Sequence, residues 1–364
     1  MLKQGYENMS TPSRFTFSTA IAKTKRVIQG IRQSFFDSPK EQTLDTAIST
    51  PEDTLLGHWK KHMFIAPAFD DEQLVAKLDY YIFTPASTPE RPTTKGMSLV
   101  VMLHGCSQTA KDFAAGTQMN FLAQQEGFVV LYPQQSISYN LGKCWRWYDL
   151  DDSKGVAEAH TIMKIIQSTI SMHELEPTKV FIAGMSAGAG MASIIAAMYP
   201  GKIQAIALHS GPALAIAHNM KSGLSLLKNG FDDSDEKSIA NLAPFAHKES
   251  HDTPTIIIYG QQDNVVHVNN FDALSKQFLY LNNIKLNTKG LVTNHFSGTD
   301  KEYTQTEYKD GQHTIVNTLR IKHLSHAWSG GDSQYPFHTD KGPQASRLIW
   351  DFFKESLAQS KTNA

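Results

Sequence analysis

The chain has 364 residues, 41% of them hydrophobic, with 34 Lys and Arg against 35 Asp and Glu. That length and apolar content suit one large α/β domain with additions or two modest domains. The net charge of -1 gives no electrostatic reason to expect a nucleic-acid partner, and no apolar run reaches the roughly eighteen residues of a membrane span. The 15 histidines are scattered, without a His-Glu-x-x-His pattern or a cysteine cluster, so no metal site is expected. Two cysteines, Cys106 and Cys144, exclude a disulfide-dense scaffold and say little about compartment.

Residues 1–55 are polar, Ser/Thr-rich and irregular, and read as a flexible or peripheral arm before a catalytic domain over 56–364. The arm lacks the compact apolar core of a secretory signal, which points to the cytoplasm and leaves export by another route open. From Leu78, LDYYIF alternates and stops at Thr84-Pro85, an early strand. The Pro- and Thr-rich PASTPERPTTKG is a surface loop. SLVVMLHG then reads as a strand buried on both faces. Helical spacing over Ala110–Gly127 runs through Phe113, Met119, Leu122 and Ala123, and leads into the strand FVVLYP. A helix is predicted over Val156–Met172, a strand over Lys179–Ala183, and a small-residue helix over Ala187–Met198 that Pro200-Gly201 terminates. IQAIALHSG and TIIIYG supply two more strands. Residues 212–250 are expected as a helical cap segment and the Thr/Val-rich 282–325 as a small strand insertion. The last helix, Gln344–Ala358, carries the apolar residues Leu348, Ile349, Trp350, Phe352, Phe353 and Leu357. This β-loop-α order predicts a mainly parallel, doubly wound sheet with helices on both faces.

The segment VFIAGMSAGAGMA places Gly184, Ser186 and Gly188 in G-x-S-x-G spacing. About one chain in ten of this length carries that spacing by chance. Here an apolar strand precedes it and an alanine-rich helix follows, the setting of a nucleophile elbow in an α/β-hydrolase fold. A serine hydroxyl needs a base, and in this topology the acid and then the histidine follow it along the chain. Asp263, just beyond the strand TIIIYG, is the acid candidate; Asp252 precedes that strand, and Asp332 follows the best histidine. That histidine is His326 in HLSHAWSGG, with His323 and His338 as rivals. In this reading Ser186 attacks an ester, His326 moves the proton, Asp263 orients the imidazole, and no metal or organic cofactor is required.

A tetrahedral intermediate needs backbone N–H donors. Ala187, after the nucleophile, is one candidate, and Cys106 in HGCSQ, through its main chain, is the other. Trp145, Trp147 and Tyr148 in CWRWYD, together with Trp328, are candidates for the substrate pocket, with interior packing as the competing role. Cys106 and Cys144 are compatible with a disulfide or with two buried thiols.

Taken together, VVMLHGCSQTAKDFAAGTQMN, GFVVLYPQQS, CWRWYD, VFIAGMSAGAGMA, YGQQDNVV and HAWSGG make the chain resemble the poly(3-hydroxybutyrate) depolymerase family of esterases, close to its feruloyl and acetyl-xylan esterase branch. The resemblance runs from about Leu78 to the last helix. It implies the triad positions Ser186, Asp263 and His326, the oxyanion-loop position Cys106, and activity on short-chain hydroxyalkanoate polyesters or their oligomers. A carbohydrate-ester hydrolase is the alternative, and a non-catalytic interaction protein on the same scaffold is a third reading. No signal peptide or separate polymer-binding module is visible, which favours oligomers, amorphous granules or another ester over crystalline extracellular polymer.

Overall fold

A computed structural model describes residues 57–68, 73–151, 153–231, 239–242 and 253–360. The expected N-terminal arm therefore lies outside the described residues. Ten strands form one sheet: β1 (His58–Ile65), β2 (Lys77–Thr84), β3 (Leu99–Leu103), β4 (Val129–Gln134), β5 (Val180–Met185), β6 (Ala205–His209), β7 (Thr255–Gly260), β8 (Leu291–His295), β9 (Tyr303–Asp310) and β10 (His313–Ile321). Their order is β1-β2-β4-β3-β5-β6-β7-β10-β9-β8. Neighbours from β4 across to β10 are parallel, and both flanks are antiparallel.

The described helices are α1 (Ala110–Thr117), α2 (Met119–Glu126), α3 (Lys154–His173), α4 (Ala187–Met198), α5 (Met220–Asn229), α6 (Val268–Leu281) and α7 (Ala345–Ser360). They cover both faces, so the central strands must be apolar on both sides. Period-two alternation sorts β3 between two cores. Leu99, Val101 and Leu103 face a core with Ile162 and Ile166 of α3, Ile194 of α4 and Phe278 of α6. Val100 and Met102 face the other, with Phe113 of α1, Leu122 of α2 and Phe353 of α7. This is the α/β-hydrolase fold, a mostly parallel sheet between two helical layers.

Four local differences from the sequence reading have physical causes. The helix expected over 110–127 breaks at Gln118, which takes a left-handed conformation (φ 56°) and closes α1 while opening α2. The strand β1 was not anticipated, because it is an edge strand whose residues are exposed or only half-buried and so lacks a buried face to read. The helix α6 was likewise unread, although its Phe271, Leu274 and Phe278 fall at helical spacing. The strands expected as a small insertion over 282–325 are β8, β9 and β10, and they differ from that reading only in joining the main sheet: β10 pairs in parallel with β7, with β9 and β8 beyond it. Within 212–250 the described residues include α5, whose Asn219 accepts the Ser222 N–H in a capping box.

Candidate active site

Ser186 sits at the junction of β5 and α4 with φ 54° and ψ -121°, a backbone state that side-chain-bearing residues rarely adopt. Its neighbours make the turn possible. A Cβ on Gly184 would collide with the Gly188 backbone, and one on Gly188 would collide with the Leu103 backbone. The Ser186 N–H donates to His209 O at 2.9 Å, which ties the turn to the end of β6. The serine is buried at the carboxyl edge of the sheet, where parallel α/β sheets place their sites.

Two and three strands further along the sheet, the loops after β7 and β10 bring Asp263 and His326 together. His326 Nδ1 lies 2.8 Å from Asp263 Oδ2. The other carboxylate oxygen, Oδ1, accepts the N–H groups of Val265 and Val266, each at 2.9 Å. Burial alone would raise the Asp263 pKa, but the charge and hydrogen bond of His326 and the two backbone donors outweigh it and hold the carboxyl below its ordinary value. An ionised Asp263 accepts from Nδ1–H, which leaves Nε2 of His326 as the free base. Of the rival residues, His323 is exposed. His338 is buried, its Nδ1 donates to Pro336 O at 2.9 Å, and burial pushes its pKa down to about 4. The Asp332 carboxylate serves a turn by accepting the Gln334 N–H, while Asp252 lies outside the described residues.

The loop after β3 carries Cys106. A Cβ built on Gly105 would stand 3.4 Å from Ser186 Cβ, so this loop passes directly beside the serine. Gln108 fixes it: its Oε1 accepts the Gly105 N–H at 2.8 Å and its Nε2 donates to Pro336 O at 3.1 Å. Cys106 and Cys144 are joined by a disulfide, and the Ser107 N–H donates to Gly142 O at 2.7 Å. Ala187 begins α4, where the first backbone N–H groups of a helix lack intrahelical acceptors.

The four aromatics expected to line the pocket divide. Trp147 is 5% and Tyr148 8% exposed, whereas Trp145 and Trp328 are 0% exposed. Trp145 donates from Nε1 to His104 O at 3.0 Å. Trp328 stacks on His209 at 5.0 Å and donates to Ser346 Oγ. These two tryptophans are fully buried, and their rings are occupied by these contacts.

Sequence reasoning missed Gln108 and His209. His209 is fully buried at the end of β6, its pKa pushed down to about 3 mainly by burial and further by His326, so it is a neutral ring under the pair. A buried histidine ending an apolar strand was the only available signal. Among the described residues no group of three or more His, Cys, Asp or Glu is arranged to hold a metal ion.

A strained strand–serine–helix turn, followed by an acid and a histidine from the next loops of a parallel sheet, is the arrangement that serine hydrolases of the α/β-hydrolase fold use. The family model described as Esterase PHB depolymerase matches residues 78–297, more than half the chain, and the protein belongs to that family. Curated relatives include poly(3-hydroxyalkanoate) depolymerase C of Paucimonas lemoignei, 35% identical over 135 residues that cover 37% of this chain and 32% of the relative. Another is a probable acetylxylan esterase A of Neosartorya fischeri, 33% identical over 136 residues that cover 36% of this chain and 34% of the relative. The matches thus span about a third of each relative's length. Among solved structures, an acetyl xylan esterase from Aspergillus awamori superposes with a TM-score of 0.65 at 18% identity, covering 81% of this chain and 99% of that one, a likeness of fold.

Proposed function

We propose that the protein hydrolyses short acyl esters through an acyl-enzyme on Ser186, with His326 as general base and Asp263 as its orienting carboxylate. The observation that carries this reading is the 2.8 Å pair between His326 Nδ1 and Asp263 Oδ2, at the sheet edge where the Ser186 turn emerges. His326 Nε2 takes the Ser186 proton as Oγ attacks the carbonyl carbon, and then gives it to the departing alkoxide. Water, deprotonated by the same nitrogen, attacks the acyl-enzyme; the carboxylic acid leaves and the proton returns to Ser186. The main-chain N–H groups of Cys106 and Ala187 stabilise the oxyanion, and such a donor contributes about 3–4 kcal/mol to the transition state.

For the substrate, the order of the two sequence-based readings reverses. An acetyl or feruloyl ester on a carbohydrate comes first, supported by the acetylxylan esterase relative and by the fold likeness to an acetyl xylan esterase. A polyhydroxyalkanoate ester is second, favoured by the depolymerase relative and by two aliphatic side chains on the 136–143 loop, Ile137 at 57% and Leu141 at 83% exposure. Purified protein assayed against acetylated xylan, methyl ferulate, hydroxybutyrate oligomers and amorphous polymer separates the two. The carbohydrate reading expects the highest kcat/KM on acetyl-xylan or ferulate; a preference for hydroxybutyrate oligomers would replace it with the second.

A further inference from the structure

We propose that Glu158 is a positioning residue for the oxyanion loop, acting through Gln135, Arg146 and the Cys106–Cys144 link; the inference rests on the esterase reading above. Glu158 lies on α3 and is buried, away from the reacting groups assigned there. Both of its oxygens accept. Oε1 takes the Gln135 side-chain N–H at 2.6 Å and Oε2 takes the Arg146 backbone N–H at 2.7 Å. Gln135 opens the connection between β4 and α3 and Arg146 lies within it, so a single carboxylate ties together the two ends of the 135–146 stretch that contains Cys144.

From Gln135 the chain of bonds continues toward Cys106. Gln135 Nε2 also donates to Cys144 O at 3.2 Å, its Oε1 accepts the Ser136 N–H at 2.9 Å, and its backbone N–H donates to His104 Nε2 at 3.1 Å. His104 immediately precedes the loop in question: its Nδ1 donates to Gly105 O at 2.8 Å, and burial pushes its pKa down to about 4, so the ring is neutral and Nε2 can accept. Cys144 is covalently joined to Cys106. Every member of this network has a fixed donor or acceptor role, and both neighbours of Glu158 are donors. A carboxylate accepts from both through its two oxygens; an amide of the same shape turns an NH2 group against one of them. The Gln135 amide cannot rotate to compensate without stranding Cys144 O and the Ser136 N–H.

A buried carboxylate is costly in itself. Burial raises the Glu158 pKa to about 7, against the hydrogen bonds from Arg146 and Gln135 and the Arg146 charge, with Asp149 adding to the rise. The clamp on the 135–146 stretch uses both carboxyl oxygens, and an apolar residue would leave the Gln135 and Arg146 donors unpaired.

The test uses the full-length protein, p-nitrophenyl acetate, and the variants Glu158→Gln, Cys144→Ser and their combination. Glu158→Gln is expected to lower kcat roughly tenfold, a partial misplacement of one oxyanion donor, with KM changed less than about threefold. If the effect runs through the 106–144 link, the same substitution in the Cys144→Ser background costs less than about twofold. An unchanged kcat in Glu158→Gln, or full additivity in the double variant, overturns the proposal. Should Glu158→Gln not fold, Gln135→Ala cuts the next bond and is expected to give the same kcat loss; wild-type kcat in a folded Gln135→Ala overturns the proposal equally. Absence of turnover by the wild-type protein is a separate outcome, which removes the esterase reading and this inference with it.

Discussion

Asp263 divides its two oxygens between two tasks, and that division determines what a substitution will do. Oδ1 holds the Val265 and Val266 N–H groups, while Oδ2 faces His326 Nδ1. In Asp263→Asn, Oδ1 keeps its two backbone donors and the NH2 group turns toward His326. The imidazole must then accept at Nδ1 and carry its proton on Nε2, where the serine proton has to go. Activity is expected to fall by about 10⁴ in kcat with little change in melting temperature, as measured by ester hydrolysis and thermal unfolding. Glu158 gives a pH signature of opposite sign to that of a paired surface acid. Its folded pKa is raised to about 7, so the folded state binds the proton more tightly than the unfolded one. The stability this provides is complete below the ordinary glutamate range and is lost as pH rises toward 7. Melting temperatures of wild type and Glu158→Gln, taken at pH 5 and pH 8, should show the wild type losing ground to the variant at the higher pH.

At the scale of elements, two loops and one turn carry the site. The disulfide closes a segment of sequence separation 38, and cross-links of that kind contribute about 2–4 kcal/mol. Cys144→Ser should lower the melting temperature and also kcat, because the released loop carries Cys106, the proposed oxyanion donor. Gly188→Ala is a harsher change: the added methyl meets the Leu103 backbone, and little folded protein is expected on size-exclusion chromatography. The elbow was legible in the sequence because steric demand writes itself as glycine: Gly184 and Gly188 around Ser186 are residues that nothing larger can replace. The buried strands were legible for a similar reason, since two covered faces require an unbroken apolar run, as in TIIIYG. Gln108 and Glu158 were not legible. Their partners, Pro336 and Arg146, come together only when distant loops fold, and an isolated Gln or Glu in a helix or loop carries no periodic mark. Trp328 is an aromatic in a motif-rich loop whose ring packs on His209.

Across the whole molecule, the sheet has two edges and the site occupies its middle. At one edge β8 exposes Leu291 and Val292 on successive residues, and Phe296 follows beyond its end. An open apolar edge strand is a template for pairing with another chain. Val292→Lys should reduce aggregation on heating, followed by light scattering, and leave kcat/KM unchanged because four strands lie between β8 and β5. No helix among the described residues is long and apolar enough to cross a membrane. The architecture therefore concentrates its chemistry where β5, β7 and β10 end side by side with β6, and the account depends on a single oxygen there. Intact-mass analysis after treatment with a fluorophosphonate measures that oxygen directly. The wild-type protein should gain one phosphonyl adduct, located to Ser186 by peptide mapping, and folded Ser186→Ala should gain none; a folded wild type that stays unlabelled, or an adduct that persists in Ser186→Ala, would contradict the assignment.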